Sequence, residues 1–589
     1  MLAKKLPTEI LQDIIYYLSR QDITTCQTIC KKWYKTFMPI IYHTVQIVGS
    51  IQFQRFFKHT LNNSIYPKGS VYAVGTQIRI LSIENGRIEP LTLGQLPLLL
   101  PFLQVFVFDG TVLSKESRAE PFGCRREMKN KQELYKVNQN FGAWKYMRQL
   151  VQYSGICVPY ALLVTSSSLT HISVRFNNVN DTTNSKSSFI SLLKNAPLLQ
   201  SLSMKNMYLD AGELEQIHQN SPNLGSLSLI YVVFLPISQQ DFLLQHFQPV
   251  EPLQYLEFLN VNFSGDTLSW LEYISKKYTG VKALDIKSPV AEGLAAKYQH
   301  QLLQIAVKFT RLKILRLSPF VLGHSFFEML DRNGRYLTGL SLDDILNTTQ
   351  LIKGLEALVK SKQTDSIVSL AIHGSCSLLV MNTIRACKNM TTLDLSLPTV
   401  SALESIDLDS ILKTCEKLTN LTISNAKLSV NQFNSRKQHF KLQSITLKHV
   451  VMESDIFEMV RSQCPDLTYV SLIEFATSLD SRNLEIYLPQ HELKTLIMDV
   501  IRVSRKRRVS RFKVCTKEEE IKWYDLVGHD VCTTTARDDE GFSRTKASKV
   551  KVTAHGLDEV SDNKLEQSTH VYVQCKHIRS IYLTALKVK

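Results

Sequence analysis

Large apolar residues recur along this chain in the figure L-x-x-L-x-L, with Leu, Ile, Val, Met or Phe at the L positions. Copies start at Ile78, Leu103, Leu169, Leu199, Leu224, Leu253, Val281, Leu312, Leu337, Ile367, Met390, Leu418, Leu442, Leu467 and Leu493, and a last one at Ile578. The figure alone is common; chance would supply on the order of twenty in a chain this apolar. The spacing carries the information, because from Leu169 to Leu493 the copies follow one another every 23 to 31 residues. Turn-like leads introduce several of them: Ala196-Pro197, Ser221-Pro222-Asn223, Glu251-Pro252 and Cys464-Pro465-Asp466. Amphipathic stretches lie between, at Phe189–Leu193, Leu268–Ser275, Leu302–Phe309, Phe326–Leu330, Leu355–Val359, Ile411–Cys415 and Ile456–Val460. The short alternating figure predicts a strand and each stretch behind it predicts a helix.

A strand and a helix in every 23 to 31 residues describe a leucine-rich-repeat solenoid. The expected fold class is therefore α/β: a horseshoe with parallel strands on its concave face and helices on its convex face. No single coil can bury both its strand and its helix, so neighbours must stack. The third, fifth and seventh positions of each figure then point outward. From these we take Tyr255, Glu257, Asp285, Ile314, Arg316, Asp343, Asp394, Lys448 and Tyr469 as candidate contacts to a protein substrate. Tyr255, Ile314 and Tyr469 are the candidate anchors. The face is otherwise small and polar with charges of both signs. It lacks an arginine stripe, so nucleic acid is not the expected partner.

The first 48 residues follow another rule. Leu6-Pro7-Thr8-Glu9-Ile10 opens a helical pattern through Leu11, Ile14, Ile15 and Leu18. Pro7 sits where a helix start tolerates it. Asp22, a plausible N-cap, precedes a second periodic run of Ile23, Cys26, Ile29, Cys30, Trp33 and Tyr34. Such a short unit carries more apolar residues than it can hide, so the surplus is expected to be buried against another protein or the next domain. The ordered matches Leu6-Pro7, Glu9-Ile10, Ile14, Leu18, Asp22-Ile23, Cys26, Ile29-Cys30 and Lys32-Trp33 resemble an F-box. The departures are conservative, Ile23 for the usual Leu and Ile29 for the usual Val. The resemblance implies a Skp-type adaptor as partner and, through it, a cullin–RING ubiquitin ligase. It implies adaptor contact or its backing from Leu6, Pro7, Glu9, Ile10, Ile14, Leu18, Ile23, Cys26 and Ile29, with Trp33 and Tyr34 as anchors. Trp33, Cys30 and Leu18 also suit the module's own core.

The rhythm breaks twice. The gap from Leu103 to Leu169 suggests one degenerate repeat and an insert near 113–150, carrying Trp144 and Tyr146. The gap from Leu493 to Ile578 suggests an insertion at 501–570. It opens with Arg502, Arg505, Lys506, Arg507, Arg508, Arg511 and Lys513, and its stretch Thr533–Ser548 reads as a loop. The basic cluster reads as a localisation patch, an acidic-partner contact, or a solvated strand edge that prevents edge pairing. Arg507-Arg508-Val509-Ser510 resembles a basophilic kinase site. The organisation expected is an F-box at 1–48, a linker or N-terminal cap at 49–76, repeats at 77–500, the insertion at 501–570, and a last strand and cap at 571–589.

Composition narrows the function. A formal net charge of +16 is partly this local cluster. The 11 cysteines contain no C-x-x-C pair, which points to free thiols and a cytoplasmic or nuclear setting. The acidic residues in the first apolar stretch exclude a secretory signal there, and no apolar window spans a membrane. P-loop, nucleophile-elbow and zinc-protease motifs do not occur. His373-Gly374-Ser375-Cys376 has a ligand-like look, but it does not make a metal set. We expect no catalytic residue, metal or cofactor. The leading reading is a substrate-recognition subunit of an SCF-type ubiquitin ligase. The alternatives are an F-box scaffold acting with a Skp adaptor outside ubiquitination and a nucleic-acid-binding repeat protein.

Overall fold

A computed structural model describes residues 6–63, 74–112, 140–153, 163, 167–176, 183–237, 249–288, 298–343, 348–397, 405–430 and 439–473. Further on it describes 476–477, 483–498, 508–516, 521–528, 551–555, 569–578, 581–583 and 586–588, and residues 16, 19, 321, 375–376 and 453–454 are short gaps within the described spans. The chain divides into two units, Met1–Val290 with Lys308–Arg311, and Ala291–Val307 with Leu312–Lys589.

The first unit opens with three helices, α1 (Thr8–Ile15), α2 (Arg20–Cys26) and α3 (Lys31–His43). Asp22 does not cap α2; the helix begins two residues earlier, and Asp22 lies in its first turn. There its carboxylate still faces the positive end of the helix dipole. α3 runs directly into β1 (Thr44–Val48), which pairs in parallel with β2 (Ile80–Ile88). A fourth helix, α4 (Gly49–Asn63), follows β1. The segment expected to be a linker or cap at 49–76 therefore carries the helix of a first strand–helix coil. The boundary expected at residue 48 falls at the end of that coil's strand. Tyr42, Val45 and Ile47 stand at the three apolar positions of this coil, and the aromatic Tyr42 hides it from an aliphatic search.

The ladder continues through β3 (Val105–Val112), β4 (Gln149–Gln152), β5 (His171–Arg175), β6 (Ser201–Leu209), β7 (Ser226–Phe234), β8 (Tyr255–Leu259) and β9 (Ala283–Lys287), all parallel. Register follows the apolar figure. Leu202, Leu227, Leu256 and Leu284 stand opposite one another, as do Met204, Leu229, Phe258 and Ile286, and all are buried. β4 is the degenerate repeat expected between Leu103 and Leu169. Met147 and Leu150 fill its first two positions, but buried Gln152 takes the third. Trp144 is part of its packing, buried and donating from Nε1 to the Leu100 carbonyl at 2.9 Å. Residues 113–139 of the expected insert lie outside the described residues.

The second unit repeats the design. Its parallel ladder comprises Ile314–Ser318, Gly339–Asp343, Ser369–His373, Thr392–Ser396, Asn420–Ser424, Ser444–Lys448, Tyr469–Ile473, Thr495–Met498 and Ile581–Leu583. Helices Gln299–Lys308, His324–Arg332, Thr348–Val359, Ser377–Ala386, Leu408–Thr414 and Asp455–Gln463 alternate with these strands. The last parallel strand is closed by Leu586–Val588, which pairs antiparallel with Ile581–Leu583. A separate five-stranded sheet holds Asn483–Leu493, Thr569–Ile578, Arg508–Thr516, Ile521–Gly528 and Lys551–His555. Arg508–Thr516 is paired on both sides, antiparallel with Ile521–Gly528 and parallel with Thr569–Ile578. The described part of the basic cluster, Arg508, Arg511 and Lys513, therefore lies on a strand paired on both sides and not on the sheet edge considered from its charge. The cluster's beginning, Arg502 to Arg507, and the stretch Thr533–Ser548 lie outside the described residues.

Two local devices hold successive coils together. At the entry to most strands of the ladders, two consecutive N–H groups donate to one carbonyl of the preceding coil. Gly225 and Ser226 share the Gln200 carbonyl, Gln254 and Tyr255 share that of Gly225, and Thr419 and Asn420 share that of Thr391, at 2.8–3.1 Å. Two residues past the last apolar position of the figure the backbone passes through the left-handed region, within β6 and β7 and just after β8, Asn420–Ser424 and Ser444–Lys448. Asn206 (φ 62), Asn260 (φ 52) and Asn425 (φ 59) stand there, with Tyr231 (φ 55) and His449 (φ 50) as the costlier occupants. Asn tolerates this conformation and its side chain also ties two coils. Asn206 donates from Nδ2 to the Phe176 carbonyl at 2.8 Å, and Asn425 to that of Leu397 at 2.7 Å. Asn206→Ala loses the hydrogen bond and keeps a side chain at positive φ, which should cost about 1–3 kcal/mol. Asn206→Gly relieves the backbone and should cost less. Urea unfolding midpoints of the two variants check the order; a midpoint for Asn206→Ala equal to the parent contradicts it.

Candidate functional site

The N-terminal helices form a small core with a second apolar surface left over. Leu11, Ile15, Trp33 and Phe37 are buried together, and Leu6, Leu18, Ile23, Cys26 and Cys30 pack against them. The Trp33 and Phe37 rings are 5.3 Å apart between centroids, and the Lys32 ammonium donates to the Leu6 carbonyl to tie the chain start to α3. Leu11 and Ile15, four residues apart on α1, form one stripe, and Leu18, just past the helix end, packs on the same core. Ile10 and Ile14 form a second, displaced by one residue, about 100° around the helix, and Tyr17 follows just past the helix end. The first stripe faces the core and the second faces solvent. Ile10 is 45% exposed, Tyr17 89% and Ile29, after α2, 46%.

The residues selected from the resemblance thus divide. Trp33 is core, and Leu6, Leu18, Ile23 and Cys26 back it. Pro7, Glu9, Ile10 and Ile29 are exposed, and Ile14 and Tyr34 are half-buried. Burial first, then Asp22, raises the Cys26 thiol above its ordinary pKa, so it is a packing residue rather than a nucleophile. Tyr17, the most open aromatic of the group, was missed by sequence reasoning. The i, i+4, i+7 spacing from Ile10 was the signal that would have found it.

The substrate-face candidates all stand at outward strand positions. In the first unit Tyr255 is exposed, while Glu257 and Asp285 are half-buried and directly opposite each other on β8 and β9. Ser228 donates its hydroxyl to Glu257 at 2.5 Å, which fixes that carboxylate. In the second unit Arg316 and Lys448 are exposed, Ile314, Asp394 and Tyr469 are half-buried, and Asp343 is buried. Asp343 and Asp394 are brought together by a residue not chosen from sequence, His373. Its Nδ1 lies 3.7 Å from Asp343 Oδ2 and its Nε2 3.9 Å from Asp394 Oδ2. Contact with Asp343, then with Asp394, pushes the imidazole up to about 9 against the opposite pull of burial. At these separations the contacts are ion pairs rather than well-formed hydrogen bonds. Lys448 and Tyr469 stand apart from this group, two and three strands beyond Asp394 and at opposite ends of their own neighbouring strands. Ser375 and Cys376 of the ligand-like string lie outside the described residues.

The helix layer of the first unit holds a buried polar cluster whose chemistry is different. The Lys277 ammonium pairs with Glu215, the Tyr273 hydroxyl donates to Glu215 at 2.7 Å, and His218 Nε2 lies 2.9 Å from the Tyr278 hydroxyl. Burial, with Lys277 second, holds the His218 imidazole down at about 3, so it stays neutral and couples helices instead of moving protons. Burial likewise pushes the Cys387, Cys415 and Cys464 thiols up to about 12. No cluster of three metal-ligating side chains occurs among the described residues, and no described helix is long and apolar enough to cross a membrane.

Comparison with known proteins agrees with the helical module. Residues 3–46 match the family model described as F-box-like. The chain carries an F-box-like module followed by a leucine-rich-repeat solenoid. No curated protein matches it. Among solved structures, the chain is similar to an internalin (inlF) of Listeria monocytogenes, at 13% identity over 69% of this chain and 78% of that one, with a TM-score of 0.23. It is also similar to the structure of the yeast Rad7 and Elc1 complex, at 12% identity over 75% and 90%, TM-score 0.32. A third similarity is to TLR13 in its ssRNA13 complex, at 15% identity over 77% and 69%, TM-score 0.34.

The His373 geometry fixes a pH dependence. A folded-state pKa near 9 lies above the ordinary imidazole value of about 6.5. The stabilisation is complete below about pH 6.5 and is lost as the pH rises through about 9. The urea midpoint of the parent should therefore fall over this window more steeply than that of His373→Gln. Equal slopes contradict the assignment.

Proposed function

We propose that this protein is the substrate-recognition subunit of an SCF-type cullin–RING ubiquitin ligase, with the F-box-like module on a Skp-type adaptor and the repeats on a protein substrate. The observation that carries the reading is the solvent-facing stripe of Ile10, Ile14 and Tyr17, with Ile29, on a module whose core is already filled. Fully burying side chains of this size is worth roughly 1.5–3 kcal/mol each, enough for a stable protein contact. Pro7 and Glu9 border the stripe; Leu6, Leu18, Ile23, Cys26 and Trp33 act by holding α1 in place.

On the substrate side, the outward strand positions supply an exposed Tyr255, opposed carboxylates at Glu257 and Asp285, and the Asp343–His373–Asp394 group. Mixed polar chemistry of this kind suits a folded or peptide protein ligand. Ubiquitin transfer would then use the chain through proximity, by raising the local concentration of substrate.

Ile10→Asp combined with Ile14→Asp places two unpaired carboxylates in the proposed contact, which costs several kcal/mol. Co-purification with a Skp adaptor should fall by more than about a hundredfold, with an unchanged circular dichroism spectrum. Undiminished capture contradicts adaptor docking. Cullin in the wild-type complex, with accumulation of a bound protein when this chain is deleted, supports the ligase role. Adaptor without cullin, and no such accumulation, favours a scaffold acting outside ubiquitination.

A further inference from the structure

A second surface of the F-box-like module has a different chemistry from the apolar stripe. A groove of about 560 Å3 is lined by Thr8 of α1 and by Lys31, Lys32, Lys35, Thr36, Pro39 and Ile40 of α3. This volume is within the range of ordinary ligand pockets, about 300–1,000 Å3. Every titratable side chain in its wall is a lysine. Lys31 and Lys35 are exposed one helical turn apart, and Lys32 is held by its bond to the Leu6 carbonyl. The Thr8 hydroxyl adds a polar group, the Thr36 hydroxyl already donates to the Lys32 carbonyl at 3.0 Å, and Pro39 with the 40% exposed Ile40 supplies an apolar end.

The groove and the stripe are on opposite flanks of α1. Counting 100° per residue along α1, the core-facing residues Leu11 and Ile15 separate Thr8 on one side from Ile10 and Ile14 on the other.

We propose that this groove binds an acidic peptide segment of a second protein, carboxylates on the lysines and an apolar residue against Pro39 and Ile40, while the stripe is occupied by the adaptor. The commitment to an acidic occupant rests on charge complementarity: ammonium groups at three lining positions and no lining carboxylate. Such a contact is built from charge-assisted hydrogen bonds at a partly exposed surface, so salt weakens it.

The test uses the full chain and a fluorescein-labelled hexaglutamate peptide, read by anisotropy at low salt. Three variants are compared: Lys31→Glu with Lys35→Glu; Arg505→Glu with Lys506→Glu, which removes charge from the other basic cluster; and Ile14→Asp on the stripe. The expected result is at least a tenfold loss of peptide affinity in the first alone. Its unchanged capture of a Skp adaptor shows that the module is folded and that the two surfaces are separate. No binding by the parent, or an equal loss in the Arg505/Lys506 variant, overturns the groove assignment. So does loss of adaptor capture in the Lys31/Lys35 variant, because the groove would then be part of the stripe's interface. If Ile14→Asp keeps adaptor capture but the lysine reversal loses peptide, the groove stands and adaptor docking through the stripe fails.

Discussion

A strand–helix coil cannot bury its own apolar residues. Its strand has one inward face and its helix one inward stripe, and both stay wet until another coil stacks on them. Every regular feature of the ladders follows from that deficit. The apolar positions stand opposite one another because any slip of one residue would turn them outward. The shared carbonyls at the strand entries pair backbone groups that burial would otherwise leave without water. The Asn residues at positive φ redirect the backbone, and Asn206 and Asn425 bond to the preceding coil. The deficit also falls on the ends. At the chain start β1 issues directly from α3, so the helical module begins the stack. At the other end, the antiparallel strand Leu586–Val588 covers Ile581–Leu583.

The same shortage of burial volume governs the F-box-like module, with the opposite outcome. Some forty residues can enclose about one stripe per helix. Leu11 and Ile15 take that space together with Trp33 and Phe37, and Ile10 and Tyr17 are left outside. In the repeats, surplus apolar surface is resolved by the next coil of the same chain. In the module no coil among the described residues covers that side, and the surplus stays exposed.

How much of this was readable from sequence depended on whether a signal was periodic. The repeats were legible because one apolar figure recurs with a beat, and the helices between them fell where the amphipathic stretches were. Coils were missed where one position broke the figure: Tyr42 before β1 and Gln152 at the end of β4. Each is a single substitution in a slot whose neighbours still pack, so tertiary context tolerates what a pattern search does not. The start of α2 was misplaced because an acidic residue suits both a cap and a first turn. The candidate sites were less legible. Tyr17 and Trp33 are both large aromatics in the same module, and only the direction of each side chain separates a surface residue from a core residue. His373 was read against its chain neighbours, whereas its partners Asp343 and Asp394 come from the coils before and after it.

That last case bears on how the solenoid separates stability from recognition. The inward positions and the Asn turns specify the stack and leave little freedom. The outward positions are free of that duty, so their chemistry can change without loss of fold. Where outward residues do interact, they do so across coils, as Ser228 with Glu257 on β7 and β8 and His373 with its two carboxylates on three strands of the second unit. Such contacts fix charged side chains before any ligand arrives, which lowers the ordering cost of binding. If that face is the substrate surface proposed above, recognition also depends on register between coils. A defect in the stack would then disturb recognition several residues away from the substituted position, even where the outward side chains themselves were unchanged.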